Sequence, residues 1–385
     1  MGRRGRAIAG LLVVAAAIAV VVGLVLMSGD DEGAPPIGAV VAVQDDHLPV
    51  DPIETIPERL DLLGETGVTT TRVDLFWADI APSRPASPTD PTDPAYDFSR
   101  ADLIMLGLTD RGITPIVSVY YTPPWASGGQ QVPGIVRNTL APDPQAFADF
   151  MQALATRYDG TFASLGGEPL PEVRHFEIWN EPNLSGFFTP QFENGEPVSL
   201  DAYAEMTKAA YPSIKRANPE AVVIAGVGGP RGRTGANAIG AIDWLRGLVE
   251  RGIPLDAYSQ HIYPAAGPLE PTDAIPSWSS VGRLLDEIDA FDPGLPLYIT
   301  EAGYTTAATQ FRDVQVTEEQ QAEYLTEIYS LPQLRTDRVK AVVWFNLQDN
   351  VNWPAGLLRE DFSRKPSYQR FVDAVDGQKG RRLTD

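Results

Sequence analysis

Two glutamates in this chain stand where a strand hands over to a loop. Glu181 closes the run His175-Phe176-Glu177-Ile178-Trp179-Asn180-Glu181-Pro182-Asn183, directly after the apolar stretch from Val173 to Ile178. Glu301 closes Leu297-Tyr298-Ile299-Thr300-Glu301 and is followed by Ala302-Gly303-Tyr304. A carboxyl at the end of a buried strand can reach into a cleft. Two of them suit cleavage of a glycosidic bond, in which one donates a proton to the leaving oxygen while the other attacks the anomeric carbon or activates a water. The first motif alone also reads as a strand followed by a polar turn, since Asn, Glu and Pro are all tolerated there. The second carboxylate in the same setting is what turns the balance toward chemistry.

Such groups need a frame, and the chain repeats one unit: a β-rich run, a polar loop, an amphipathic stretch, then Gly or Pro. The expected strands are Ile37–Val43, Thr70–Leu75, Thr114–Tyr120, Val173–Trp179, Ala221–Ala225, Asp256–Ile262, Pro296–Thr300 and Lys340–Phe345. Helices are expected over Pro52–Leu63, Ser99–Arg111, Pro144–Tyr158, Leu200–Ala217, Ala238–Arg251, Ser280–Ala290, Glu318–Tyr329 and Pro366–Val375. Phe147, Phe150, Met151 and Leu154 show the i, i+3, i+4, i+7 spacing of a one-sided apolar stripe. Strict alternation argues for an α/β fold with a parallel sheet, and eight units make a single-domain (β/α)8 TIM barrel. An open doubly wound sheet would alternate too, but would gather its ligand at one or two glycine-rich loops. Here the suggestive residues lie at the ends of several strands, as a barrel mouth requires. The long loops 81–97, 123–142, 184–198 and 264–278 all follow strands, so they would wall the same mouth.

The run from Phe176 to Leu184 resembles the fourth-strand signature of clan A glycoside hydrolases, most closely family 39, with family 5 close behind. That resemblance covers nearly all of the chain after the first 36 residues. It implies a retaining hydrolase in which Glu181 is the acid/base, Asn180 holds the sugar 2-hydroxyl and Glu301 is the nucleophile. Arg72, in Thr71-Arg72-Val73-Asp74, matches the clan's second-strand arginine beside the nucleophile. His261 and Tyr263, in Gln260-His261-Ile262-Tyr263-Pro264, match the sixth-strand pair whose Tyr hydroxyl contacts the nucleophile and whose His lines the site. Trp344, in Val342-Val343-Trp344-Phe345-Asn346, matches the eighth-strand aromatic on which the sugar packs. Trp77 and Trp125, and Asn346 after the eighth strand, are further candidates at the mouth; Trp278 is another aromatic there. Glu177 is expected in a structural ion pair. The third strand ends Tyr120-Tyr121-Thr122 without the His of many family 5 enzymes.

Arg3, Arg4 and Arg6 precede an apolar segment, 7–27, about as long as the roughly 20 residues that cross a bilayer. We read 1–6 as a cytoplasmic basic region, 7–27 as a transmembrane signal anchor, 28–36 as a linker, 37–377 as the barrel and 378–385 as a tail. By the positive-inside rule the barrel would be extracellular; cleavage of 7–27 as a signal peptide would instead secrete it. The chain has no Cys, three His and a net charge of −21, so disulfides and thiolate metal sites are excluded and nucleic acid is repelled. No nucleotide fingerprint or Cys/His metal cluster is present, and no cofactor or metal is expected. The expected partner is a carbohydrate. Two alternatives share these residues: a non-catalytic carbohydrate-binding barrel, and a transglycosidase that passes the sugar to another sugar.

Overall fold

A computed structural model describes residues 38–130, 137–164, 167–378 and 380–383. The expected anchor 7–27 lies outside them, and among the described residues no helix is long and apolar enough to cross a membrane. Eight parallel strands form one sheet: β1 (Val40–Gln44), β2 (Thr70–Phe76), β3 (Thr114–Tyr120), β4 (His175–Ile178), β5 (Val222–Gly228), β6 (Ala257–Gln260), β7 (Leu297–Ala302) and β8 (Val339–Phe345). Each is paired in order, with β8 also pairing β1. The ring closes between β1 and β2 through Thr71 Oγ1, which donates to the Val43 carbonyl at 2.6 Å.

The helices that follow the strands are α1 (Ile56–Glu65), α2 (Ser99–Asp110), α3 (Pro144–Arg157), α4 (Val198–Ala217), α5 (Ala241–Arg251), α6 (Val281–Ile288), α7 (Glu318–Ser330) and α8 (Pro366–Gly377). The expected elements are therefore all present, with ends displaced by a few residues. Local chemistry explains several starts and stops. Asp143 accepts a hydrogen bond from Ala146 N ahead of α3, and Pro144 follows at the first helical position, where a missing N–H costs nothing. Thr317 and Gln320 cap α7 reciprocally. Gly252 ends α5 at a φ of 57°, which costs a glycine nothing.

The apolar stripes of the helices pack on the outward side of the strands. A second, smaller cluster fills the barrel: Ala42, Ile116, Ile224, Ala257, Tyr298, Ala341 and Val343. Side chains alternate across a strand, so the residues two positions further along share this inward side. Those residues include Gln44, Ser118, Ser259 and Thr300, joined by Arg72, Asp74 and Glu177. The interior is thus an apolar floor with a polar layer above it, at the C-terminal end where barrel active sites form.

Candidate active site

Arg72 is the hub of that polar layer. It is fully buried, and its guanidinium donates to Glu177 Oε2 at 2.6 Å, Gln44 Oε1 at 2.9 Å, Ser118 Oγ at 2.9 Å, Asn180 Oδ1 at 2.7 Å and Glu301 Oε1 at 2.7 Å. Asp74 Oδ1 lies 3.1 Å from Nη1. Five donors in a rigid fork make arginine the side chain suited to such a junction. Glu177 is the ion-pair partner expected from the sequence.

Local backbone geometry aims the two glutamates. Trp179 and Glu181 both take positive φ, 72° and 41°, on either side of Asn180. Positive φ in non-glycine residues costs about 1–3 kcal/mol each and persists only where surroundings impose it. Trp179 supplies that constraint: it is fully buried, its indole donates to the Phe187 carbonyl at 3.0 Å, and Phe147 and Phe188 pack edgewise on it. Asn183 ties the following loop to the next one, accepting from Gly229 N and donating to the Ile239 carbonyl. On β7 the pairing with β8 shifts register between Ile299 and Ala302. A bulge re-aims a side chain, and here Thr300 keeps the inward position while Glu301 also reaches the mouth.

Glu181, His261 and Glu301 come together there, each offering an atom within 4.8 Å of the others. His261 Nδ1 lies 2.8 Å from Glu181 Oε1 and 3.4 Å from Glu301 Oε2, and its Nε2 is 3.1 Å from Thr300 Oγ1. Tyr263 donates its hydroxyl to Glu301 Oε2 at 2.9 Å. Burial pushes the Glu181 carboxyl up to about 8 against the pull of Arg72, and neighbouring Glu177 adds to the rise. Burial also raises Glu301, but to about 7, because His261 and Arg72 both favour its charged form. The environments differ in the sense that an acid and a nucleophile require: Glu301 accepts from Arg72 and Tyr263, whereas Glu181 holds its proton longer. Burial lowers the His261 imidazole, which keeps it a neutral hydrogen-bond partner.

These shifts set a pH profile. If the ionised Glu301 and the protonated Glu181 are the active pair, kcat/KM should be bell-shaped, with an acid limb near pH 7 and a basic limb near pH 8 that belong to the coupled pair. The basic limb should appear with a sugar leaving group, which needs the Glu181 proton, and vanish with an activated aryl glycoside, which does not. Both carboxyls are raised above their ordinary 4.5, so the folded protein holds more protons than the unfolded chain. Their combined contribution to stability therefore falls as pH rises from about 4.5 to about 8.

The other sequence candidates divide. Asn180 joins the site through Arg72. Asn346 is fully buried at the end of β8 and donates to Asp46 Oδ1. Trp344 is corrected: it alternates with the inward Val343, belongs to the outer core, is 1% exposed and donates its indole N–H to the Ala355 carbonyl at 3.0 Å. The inward aromatic is its neighbour Phe345, which packs edgewise on Tyr263 with ring centroids 6.4 Å apart. Trp77 is likewise a core residue, packed on Trp125, Phe147 and Phe150, and Trp278 is buried. Trp125 is partly exposed, but its indole N–H is taken by the Ala81 carbonyl. Sequence reasoning passed over Gln44, Asp74, Ser118, Tyr120 and Thr300. Tyr120 and Gln44 both donate to Asp74 Oδ2 at 2.9 Å. Polar residues spaced two apart inside otherwise apolar strands were the available signal.

The family described as glycosyl hydrolases family 39 matches residues 59–333. A beta-xylosidase of Geobacillus stearothermophilus is 26% identical over 301 residues, which cover 72% of this chain and 55% of that protein. A beta-xylosidase of Caldicellulosiruptor saccharolyticus is 27% identical over 176 residues, covering 44% of this chain and 32% of its own. The chain thus spans about half the length, or less, of these curated relatives. Among solved structures, a family 39 glycoside hydrolase from the gut symbiont Bacteroides cellulosilyticus WH2 superposes with a TM-score of 0.58 at 24% identity, covering 87% of this chain and 63% of that one. At that identity the superposition speaks for the barrel alone.

Proposed function

This chain belongs to glycosyl hydrolases family 39, and we propose that it hydrolyses O-glycosidic bonds with retention of anomeric configuration, through a glycosyl-enzyme formed on Glu301. One observation carries the reading: carboxyl oxygens of Glu181 and Glu301 lie within 4.8 Å of each other, in environments that favour the acid on one and the anion on the other. Retaining enzymes hold their carboxyl groups about 5–5.5 Å apart, while inverting ones leave roughly 6.5–9.5 Å for a water.

In the proposed sequence, Glu301 attacks the anomeric carbon as Glu181 gives its proton to the departing oxygen. Glu181, now a carboxylate, then takes a proton from water, which displaces Glu301 and restores both groups. Arg72 holds the Asn180 carbonyl oxygen, which leaves the amide N–H2 to donate to the sugar 2-hydroxyl. Tyr263 and Arg72 each occupy one oxygen of Glu301 and fix its line of attack. The beta-xylosidase names of the two relatives make aryl β-xylosides the first substrates to try. Proton NMR of the first-formed sugar tests the reading: retention is expected, and an inverted product would make Glu301 a general base.

The same proposal places the barrel outside the cell, held to the membrane by 7–27. Fractionated cells should keep the protein in the membrane with the barrel open to external protease. A soluble form in the medium that begins near Ser28 would show cleavage instead.

A further inference from the structure

The loops that follow β1 and β2 enclose a cavity of about 250 Å³. Pro49 and Ile53 line it from the first loop, and Phe76, Asp79, Asp97 and Ser99 from the second. Hydrogen bonds fix both walls. Arg100, in the first turn of α2, donates to the Leu48 and Asp51 carbonyls at 2.8 and 2.7 Å and so ties the two loops together. Asp97 N donates to the Ile80 carbonyl at 2.7 Å and closes the second loop on itself. The hollow is therefore formed before anything enters it, as ligand sites usually are.

Asp74 joins this cavity to the reacting centre, because it lines the cavity and also stands 3.1 Å from Arg72 in the polar layer. Glu181 follows β4 and Glu301 lies on β7, and the gap between β1 and β2 faces the midpoint of those two strands across the ring. A glycan cut between the glutamates sends its departing part past Glu181. Any further unit on the other side of the attacked sugar needs a place away from Glu181, and the rim at β1 and β2 has one. Its lining suits a sugar. Ile53 is apolar yet 40% exposed, and with Pro49 and Phe76 it offers surface to the C–H groups of a ring. Asp79 and Asp97 are exposed carboxylates. Asp79 Oδ2 accepts from Arg137 at 2.9 Å and Asp97 Oδ1 from Ser99 N at 3.0 Å, which leaves the second oxygen of each to accept from hydroxyls. An acidic sugar would meet like charge here.

We propose that this cavity binds a second, uncharged sugar on the non-reducing side of the one that Glu301 attacks, so that the enzyme recognises its glycan by at least two units. The inference rests on the glycosidase reading, which places the attacked sugar beside Arg72 and Glu301. Ile53, Asp79, Asp97 and Ser99 select the substrate and take no part in bond breaking.

Isothermal titration calorimetry on the full chain carrying Glu301→Ala tests this without turnover. The ligands are xylobiose, cellobiose, β-1,4-mannobiose and β-1,4-galactobiose, each against its monosaccharide. At least one disaccharide should bind roughly 10- to 100-fold more tightly than its monosaccharide, the gain that a hydrogen bond to a charged acceptor supplies. Ser99→Trp and Ile53→Trp, at exposed positions on opposite walls, each fill the cavity and should remove that gain while leaving the monosaccharide's affinity unchanged. Asp97→Asn should remove part of it. In the parent chain, the aryl glycoside of the preferred disaccharide should release its phenol with the disaccharide intact, at a kcat/KM above that of the aryl monosaccharide. The proposal is overturned if no disaccharide outbinds its monosaccharide, if the gain survives both tryptophans, or if the aryl disaccharide is cut only between its two sugars, which would put the second unit on the Glu181 side. Hydrolysis of aryl monosaccharides with no gain from a second unit would leave the glycosidase reading standing and remove only this one. A binding gain that the tryptophans abolish, in a parent chain that hydrolyses nothing, would remove the glycosidase reading and keep the cavity as a sugar site.

Discussion

Glu301→Ala should lose turnover on every glycoside, whatever its leaving group, because no glycosyl-enzyme can form. Covalent enzymes stripped of their nucleophile lose on the order of 10⁶-fold in kcat, so residual activity should be at the limit of detection. Glu181→Ala should behave differently. On a sugar leaving group, which needs the proton, kcat/KM should drop about 10²- to 10⁴-fold, the usual contribution of a positioned acid. On an aryl glycoside with an acidic phenol the first step should stay fast, the intermediate should accumulate, and azide should restore turnover as a glycosyl azide. A burst of phenol followed by a slow, azide-sensitive phase is the expected trace. Equal loss on both substrate types in both variants would remove the division of labour between the two glutamates.

The largest effect on stability belongs to Arg72→Met. Arg72 is fully buried, and its loss would strand Glu177, Asp74 and Glu301 in the barrel without their cation. Breaking a buried pair typically costs about 3–5 kcal/mol, and this cation serves three carboxylates. Denaturant unfolding should show a loss of at least that order at neutral pH. The stranded carboxyls would have raised pKa values, so the folded variant would take up protons and its deficit should shrink as pH falls. Arg72→Lys keeps the charge and loses the fork, so it should recover part of the stability but not the activity that depends on Asn180 and Glu301 being held together. Loss of less than about 1 kcal/mol in Arg72→Met, with activity kept, would show that the polar layer does not depend on its hub.

Much of this arrangement was legible because it is written locally. The alternation of β-rich runs and amphipathic stretches fixed the barrel and put Glu181 and Glu301 at the ends of β4 and β7. Arg72, His261 and Tyr263 were found because each lies in a recognisable short motif, Arg72 inside β2 and the other two just beyond β6. The parity of β8 was not legible. Ala341 to Trp344 is buried on both faces, as parallel barrel strands are, so no polar residue marks the inner side there, and Trp344 was placed inward in place of Phe345. A slip of one residue in a strand exchanges the two faces.

The hydrogen-bonding layer was also hidden. Gln44, Ser118 and Asp74 gain meaning only once β1, β2 and β3 stand side by side, since their partners lie 28 to 46 positions away in the chain. What the sequence conveyed was chemistry at strand ends. What it withheld was chemistry made by neighbours across the barrel.

The most direct measurement labels the nucleophile. An activated 2-deoxy-2-fluoro glycoside of whichever sugar the enzyme accepts slows both steps, the second more, so the glycosyl-enzyme should persist long enough for mass spectrometry of the intact protein and its peptides. The account predicts one sugar per chain, attached to Glu301, with a label that Glu301→Ala abolishes and Glu181→Ala retains. A label on Glu181 or elsewhere, or unlabelled protein that turns over the parent glycoside with inversion, would contradict it.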